Sequence, residues 1–413
     1  MNVAVIGSGG REHALCHALH QSPLLTTLYA IPGNPGMANI ATCVSIDPSD
    51  FAQLTSFCQE HHIELVIPGS EVYLEQGITN HLEAHGIKVF GPTKEAARIE
   101  SSKQFAKDMM ARHHIPTASF HVFSDYQQAF DHLHQHGVPI VIKYDGLAGG
   151  KGVVVALTME VAEQALHDML QERMYGDDPV VLEEYLEGPE FSLMCFVHNN
   201  IVIPMPIAQD HKRLLDGDQG PNTGGMGIYS PVPIIAKDIV QSAMDTIMIP
   251  MANALLQEHL PYTGFLYGGL MATKEGPKVI EFNARFGDPE AEVILPKLKT
   301  DLLSVILSLL QEKTPSLSWS NDIIVGVVMA SKGYPGSYQS GVPIHHVNDT
   351  SDLVFHMGTA QVKNQLITKG GRVLLVIGRG KTITEAVQHA YQNVKTIRCD
   401  NLIYRTDIAH QSL

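Results

Sequence analysis

The 413-residue sequence is short of cations and of cysteine, and each scarcity excludes classes of function. Lys and Arg number 28 against 43 Asp and Glu, a net charge of −15 that opposes nonspecific attraction to nucleic-acid phosphates and anionic lipid. Neither nucleic acid nor membrane is an expected partner. The five cysteines, Cys16, Cys43, Cys58, Cys195 and Cys399, contain no CxxC pair and no small disulfide framework, so reduced, buried thiols in a reducing compartment are expected. No apolar run approaches the length of a bilayer span, and the opening Met1 to Gly7 has no basic leader region, so the expected location is cytoplasmic. Internal repeats and low-complexity tracts are also missing. Charged residues make up 17% and apolar residues 44%, with 35 Gly and 23 Pro, the mixture of a loop-rich globular enzyme. The length suits about two to four domains.

Histidine, by contrast, is plentiful, with pairs at His61-His62, His113-His114 and His345-His346 and a run of His132, His134 and His136. That spacing could serve a metal, yet no acidic or Cys partner accompanies it. Ser124 with Gln127 reads as a capping box, which predicts a solvated helix face there.

Residues 3 to 6 form an apolar strand leading into Gly7-Ser8-Gly9-Gly10-Arg11-Glu12-His13 and an amphipathic stretch to His20. Similar units at Leu28 to Ile31, Leu65 to Ile67 and Lys88 to Phe90 predict an N-terminal doubly wound parallel sheet, residues 1–101. Thr93 to His114 is helix-rich, and Ile115-Pro116 turns the chain. The central part, 102–320, carries strands at Ile140 to Lys143, Val153 to Ala156, Val180 to Glu183 and Phe191 to Val197. A glycine-rich loop from Gly217 to Ser230 follows, then a helix near Ala236 to Leu260. Strands at Phe265 to Ala272 and Lys278 to Asn283 precede an apolar helix over 301–310. A smaller C-terminal α+β unit, 321–413, opens with Ile323 to Ala330, continues with Arg372 to Ile377, and closes with a helix capped by Thr382 and Glu385.

Three segments carry chemistry. Lys143-Tyr-Asp145-Gly-Leu-Ala-Gly149-Gly-Lys151-Gly152 lies between two strands, so it is not a P-loop, whose lysine opens a helix. It suits a hairpin lid whose backbone N–H groups and Lys151 close over phosphates, with Lys143 beneath them; a plain glycine hairpin reads equally well from this motif alone. Next, Val180-Val-Leu-Glu183-Glu184-Tyr-Leu186-Glu-Gly-Pro-Glu190 is a strand ending in acids. A strand edge offers backbone groups to adenine, and a carboxylate can accept from ribose hydroxyls, although solvated turn acids fit too. In Glu281-Phe-Asn283-Ala-Arg285-Phe-Gly287-Asp288-Pro289-Glu290, strand alternation puts Glu281, Asn283 and Arg285 on one face. Two hard oxygen donors suit Mg²⁺, and the arginine could neutralise charge developing beside them.

These pieces in this order resemble the ATP-grasp fold. Gln209-Asp210-His-Lys212-Arg213, the string Gly220-Pro-Asn222-Thr223-Gly224-Gly225-Met226-Gly227-Ile-Tyr-Ser230-Pro, and Arg285-Phe-Gly287-Asp288-Pro289 narrow the match. With Gly7 to His13, Pro32 to Gly36 and Gly370-Gly-Arg-Val373, the chain is similar along nearly its whole length to the glycinamide ribonucleotide synthetases, also called phosphoribosylamine-glycine ligases.

The resemblance implies a central ATP-grasp fold with a lid subdomain at about 118–188, beside the two flanking units. It also implies ligation of glycine to 5-phosphoribosylamine through glycyl phosphate, the second step of de novo purine synthesis, by a monomer using ATP with Mg²⁺ or Mn²⁺. Lys103, Lys143, Lys151 and the lid glycines Gly146, Gly149 and Gly150 fall to the ATP phosphates. Glu183, Glu184, Tyr185 and Leu186 fall to adenine, Glu190 to ribose, and Glu281 with Asn283 to the metal. Glu71, Asp210, Lys212, the loop Asn222, Thr223, Gly224, Gly225, Met226 and Gly227, and Gly287 with Pro289 would surround the other substrates. Arg285, Lys151 and Asp288 would carry the chemistry. The first domain has so few cations that Gly9, Gly10, Arg11 and the helix N-terminus are expected to hold the sugar phosphate.

The family commonly has prolines at the positions of Ser70 and Tyr73 and alanines at those of Tyr144 and Gly149, so the substrate loop and lid differ locally. Three other readings compete. A dinucleotide oxidoreductase needs G-x-G-x-x-G, but Glu12 stands at the third glycine. Another ATP-grasp ligase should lack the Asn222 to Met226 loop together with Arg285 to Pro289. A noncatalytic nucleotide-binding regulator has no need of Lys103, Lys143, Lys151, Glu281, Asn283 and Arg285 together.

Overall fold

A computed structural model describes residues 1–148 and 152–413. The first sheet is parallel, in the order Thr42–Cys43, Thr27–Pro32, Asn2–Gly7, Ile63–Pro68, Lys88–Val89. Val3 to Ile6 are wholly buried, as a strand covered on both faces must be. The strand order reverses between Asn2–Gly7 and Ile63–Pro68, which opens a crevice beyond their C-terminal ends.

The central part holds two antiparallel sheets. One, ordered Ile201–Pro204, Glu190–His198, Thr263–Thr273, Gly276–Asn283, packs against the first unit. The other, ordered Phe120–Phe123, Val180–Glu184, Ile140–Tyr144, Val153–Ala156, forms the lid together with the helices Tyr126–His136 and Met159–Leu166. Val180, Leu182, Ile140, Ile142 and Tyr144 on one sheet face meet Ala129, Leu133, Ala162 and Leu166 in a hydrophobic cluster confined to the lid. Two larger clusters run instead through the rest of the molecule. One joins Leu15 and Leu19 of the helix Gly10–His20 to Val293, Ile306, Ile324 and Leu375.

Several expectations are corrected. Asp125, not Ser124, caps the histidine-bearing helix, its carboxylate accepting from Gln128 N, because the chain enters the helix one residue later. The segment read as a glycine-rich loop contains the strands Gln219–Asn222 and Gly227–Ser230. Gly227–Ser230 pairs with Ile323–Ser331, so the C-terminal sheet takes two strands, Gln209–Asp210 and Gly227–Ser230, from the middle of the chain. Ile228 and Tyr229 drive this, being completely buried. The helical stretch Lys237–Gln257 reaches the length and apolarity of a membrane span after all, and its Ile247, Met248, Met251 and Leu255 are buried in a core cluster.

Candidate active site

The first crevice is shaped by Glu12. Its carboxylate accepts from Gly9 N at 2.6 Å and from Arg11 Nε at 2.8 Å, and it fills the space in which a side chain at Gly69 would stand. The residue that breaks the dinucleotide fingerprint thus plugs the turn a pyrophosphate would need. The sugar phosphate is expected at this same turn. Arg11 is buried, spending its guanidinium on Glu12 and on Phe286 O at 3.2 Å, and Glu292 presses on Gly10. Asp288 lies beside Gly9, so the helix N-terminus is already capped and ringed by carboxylates.

Across the crevice, the strand Gly276–Asn283 delivers Glu281, Asn283 and Arg285 to one edge, while Phe282 and Ala284 are buried behind them. Arg285 is the junction between units. Its Nη2 lies 2.9 Å from Glu100 Oε1 and 3.4 Å from Asn283 Oδ1, and its Nε lies 3.3 Å from Glu71 Oε2. The two acids respond oppositely. Burial pushes the Glu100 carboxyl up to about 7, even though Arg285 attracts a proton-free form and Ala284 N donates to it. At Glu71, burial is overcome by Arg285 and Arg11, which hold it down at about 2. Glu281 is likewise disfavoured by burial, yet Lys212, Lys143 and Lys103 keep it below the ordinary carboxylate range and therefore ionised.

Those lysines define the nucleotide end. Lys103 opens the helix Lys103–Arg112 after the cap Ser102, and its Nζ donates to Gly146 O at 3.1 Å. Asp145 accepts from Ser102 Oγ and Gln104 N, docking the start of the lid hairpin on that helix. Lys143 Nζ donates to Ile280 O at 2.8 Å and lies 3.0 Å from the Glu183 carboxylate. Gly149, Gly150 and Lys151 lie outside the described residues. Val180–Glu184 is not a sheet edge but a central strand, paired on both sides, so its backbone is spent in the ladder. The Glu183 carboxylate is buried under Lys143 and Lys107, and that of Glu184 accepts from Ser119 N and Oγ. Unpaired backbone for an adenine therefore begins at Tyr185 and Leu186. Glu190 pairs with Lys212 at 2.9 Å and holds its ammonium well above the usual range against the effect of burial.

A third wall comes from the segment shared with the C-terminal sheet. Glu190, Ser192, Asp210, Lys212, Tyr267 and Gly269 line a narrow recess there. Asp210 Oδ1 has no hydrogen-bond partner among the described residues, and burial with the Glu290 charge pushes its carboxyl up. Gly225, at φ +109°, is required beside it, since a Cβ would stand 2.5 Å from Asp210 Oδ1. Thr223 Oγ1 donates to Lys212 O and accepts from Gly225 N, while Gly224 N donates to Tyr334 Oη. Asn222 pairs with Arg213 across the hairpin. Met226 is fully buried and Gly227 begins a strand, so they anchor the loop. Gly287 and Pro289 flank Asp288, with the Glu290 carboxylate folded against Gly287.

Four residues to which the sequence patterns assign no role belong to this arrangement: Glu100, Lys107, Asp145 and Arg372. Arg372 donates to Gly224 O and to Asp288 O, and lies 3.1 Å from the Asp288 carboxylate. Lys107 shares a helix face with Lys103 four residues away, a spacing that could have flagged it; the others are revealed only by tertiary contact.

A lid sheet whose lysines stand over an acid-and-amide-tipped strand of a second sheet defines an ATP-grasp protein. The biotin carboxylase domain of Hydrogenobacter thermophilus 2-oxoglutarate carboxylase, solved with MgADP and bicarbonate, shares this fold at a TM-score of 0.72 and 17% identity, over 97% of this chain and 91% of that one. Models of the phosphoribosylglycinamide synthetase N, ATP-grasp (A) and C domains match residues 1–100, 101–291 and 324–411 in turn. The chain belongs to the phosphoribosylglycinamide synthetase family. It is 52% identical to a phosphoribosylamine-glycine ligase of Halalkalibacterium halodurans, covering all of this chain and 97% of that protein. A crystal structure of the Thermotoga maritima phosphoribosylamine-glycine ligase superposes at a TM-score of 0.86 with 32% identity, over 99% of this chain and 100% of the other.

Proposed function

We propose that the chain ligates glycine to 5-phosphoribosylamine at the expense of ATP, releasing glycinamide ribonucleotide, ADP and phosphate, as the second step of de novo purine synthesis. The observation that carries this reading is Arg285. It lies two residues beyond the end of the strand that bears Glu281 and Asn283 and is clamped by Glu71 and Glu100 of the N-terminal unit, joining a nucleotide cleft to a second-substrate crevice.

Glycine carboxylate is a poor electrophile. One of its oxygens takes the γ-phosphoryl group as ADP leaves, and the resulting anhydride must be kept from water. The amine of phosphoribosylamine then attacks the acyl carbon, losing a proton as the C–O bond to phosphate breaks. In this scheme Lys103 and Lys143, with Lys151, hold the phosphates. Tyr185 and Leu186 offer backbone to adenine, and Glu190 meets the ribose. Arg285 stabilises the charge that gathers on the transferring phosphoryl group and the acyl centre. Asp210, Lys212 and the Asn222 to Gly225 loop border glycine with Asp288, while Glu71 and the crevice above the first sheet border the sugar. Glu281 and Asn283 fit a hard divalent cation: one ionised carboxylate and one amide oxygen share an edge, leaving other positions for phosphate and water. Mg²⁺ or Mn²⁺ bound there would supply charge neutralisation to the phosphates.

The five cysteines are free thiols, which supports a cytoplasmic setting. The test is ADP release with glycine, with and without freshly made phosphoribosylamine. Release that depends on the amine is expected; release that ignores it, or that needs a different acceptor, would assign the chain to another ATP-grasp ligase.

A further inference from the structure

The nucleotide lysine Lys143 has a competitor for its charge. Glu183, almost completely buried in the middle of the lid sheet, lies 3.0 Å from Lys143 Nζ, and a buried carboxylate left without a cation is costly. If Lys143 alone neutralised Glu183, turning toward a phosphate would strip that carboxylate of its partner. The structure supplies a second cation. Lys107, on the helix Lys103–Arg112, is just as buried, and its Nζ lies 2.8 Å from Glu183 Oε2 and donates to Thr117 Oγ1 at 2.8 Å. Phe120 closes over it, its ring centroid 5.7 Å from Nζ. Both lysines are almost fully buried, but their other partners differ: Lys107 turns to Thr117, whereas Lys143 turns to Ile280 O, beside Glu281.

We infer that Lys107 is a positioning residue for nucleotide binding: it neutralises Glu183, so that the charge of Lys143 is left for the phosphates. The inference rests on the assignment of Lys143 to the nucleotide. An ammonium has three protons; Lys143 gives one to Ile280 O and one to Glu183, and the Glu281 charge faces it from the strand below. The groups facing Lys107 are Glu183, Lys143 and Glu184, and burial lowers the Lys107 ammonium to about 8, as a cation next to another cation in a dry site must be. Two lysines over one carboxylate leave a single net positive charge, and Lys143, bonded to the carbonyl next to Glu281, is the one assigned to present it.

The test compares binding of MgADP and of adenosine by calorimetry to wild type, Lys107→Met and the double variant Lys107→Met with Glu183→Gln. Lys107→Met is expected to weaken MgADP by about tenfold or more while leaving adenosine within about threefold, because only the phosphate contact is drained. The double variant, in which neither charge remains to be satisfied, is expected to recover MgADP binding to within about threefold of wild type. Equal losses for adenosine and MgADP would make Lys107 a prop for the lid and overturn the inference. So would an undiminished MgADP affinity in Lys107→Met, or a double variant as weak as the single one. Wild type that fails to bind MgADP would instead defeat the nucleotide assignment itself.

Discussion

At Arg285 the same guanidinium meets one acid held near 2 and another raised to about 7. Glu71 is thus a permanent anion, whereas Glu100 changes charge within the working range. Deprotonated, it anchors Arg285 Nη2; protonated, it loses most of that attraction. The turnover rate should therefore rise as pH increases through about 7, and Glu100→Gln should flatten this limb and run about tenfold below wild type at pH 8, read from pH–rate profiles at saturating substrates. An unchanged limb in Glu100→Gln would assign it to another group. The sequence disclosed Arg285 because strand alternation aligned it with Glu281 and Asn283. Glu100 stayed hidden because it lies on a helix of the preceding unit, where an isolated Glu looks like any solvated one.

Secondary elements were read well wherever the code was local. The lysine hairpin strands, the strand Gly276–Asn283 and the Thr382 capping box all stand where residue pattern alone put them. The segment around Gly217 to Ser230 misled because the partners of Gly227–Ser230 are strands far along the chain, and glycine content outweighed Ile228 and Tyr229. The hairpin Arg213–Leu215 with Gln219–Asn222 is tied down in the same nonlocal way. Arg405, its side chain 1% exposed, donates to Arg213 O and pairs with Asp218 and Asp407. Arg405→Ala would orphan these groups at once. Because Asp218 and Asp407 are partly solvated, the expected cost is about 3 kcal/mol rather than the full figure for a dry triad, measured by urea unfolding. A loss below about 0.5 kcal/mol would mean that the hairpin is held by other contacts.

Across the whole molecule, the buried histidines set the acid limit. His13 accepts from His356 N, and His211 Nε2 accepts from Ala409 N, so these rings are buried in neutral form. Burial lowers His13 to about 3 and His211 and His356 to about 4, against an ordinary value near 6.5. Their folded-state values are depressed, so their contribution is complete above pH 6.5 and is lost as pH falls toward 4. The unfolded chain binds up to three more protons in that window, giving a slope of up to about 1.4 kcal/mol per pH unit for each ring. Chemical denaturation between pH 7 and 4.5 should show this fall, and replacing His211 by Gln should remove one ring's share.

The lid's own hydrophobic cluster has a different consequence at this scale. Its seams to the rest of the molecule include the polar contacts of Lys107, Lys143, Asp145 and Lys103 with Glu183, Ile280, Gln104 and Gly146. Water and phosphate oxygens can replace such contacts almost one for one, whereas an oily seam would have to be torn open against solvent. Deuterium uptake should accordingly divide the chain into two cooperative blocks, with amides of Ile140–Tyr144 and Val180–Glu184 exchanging through a smaller opening than those of Asn2–Gly7.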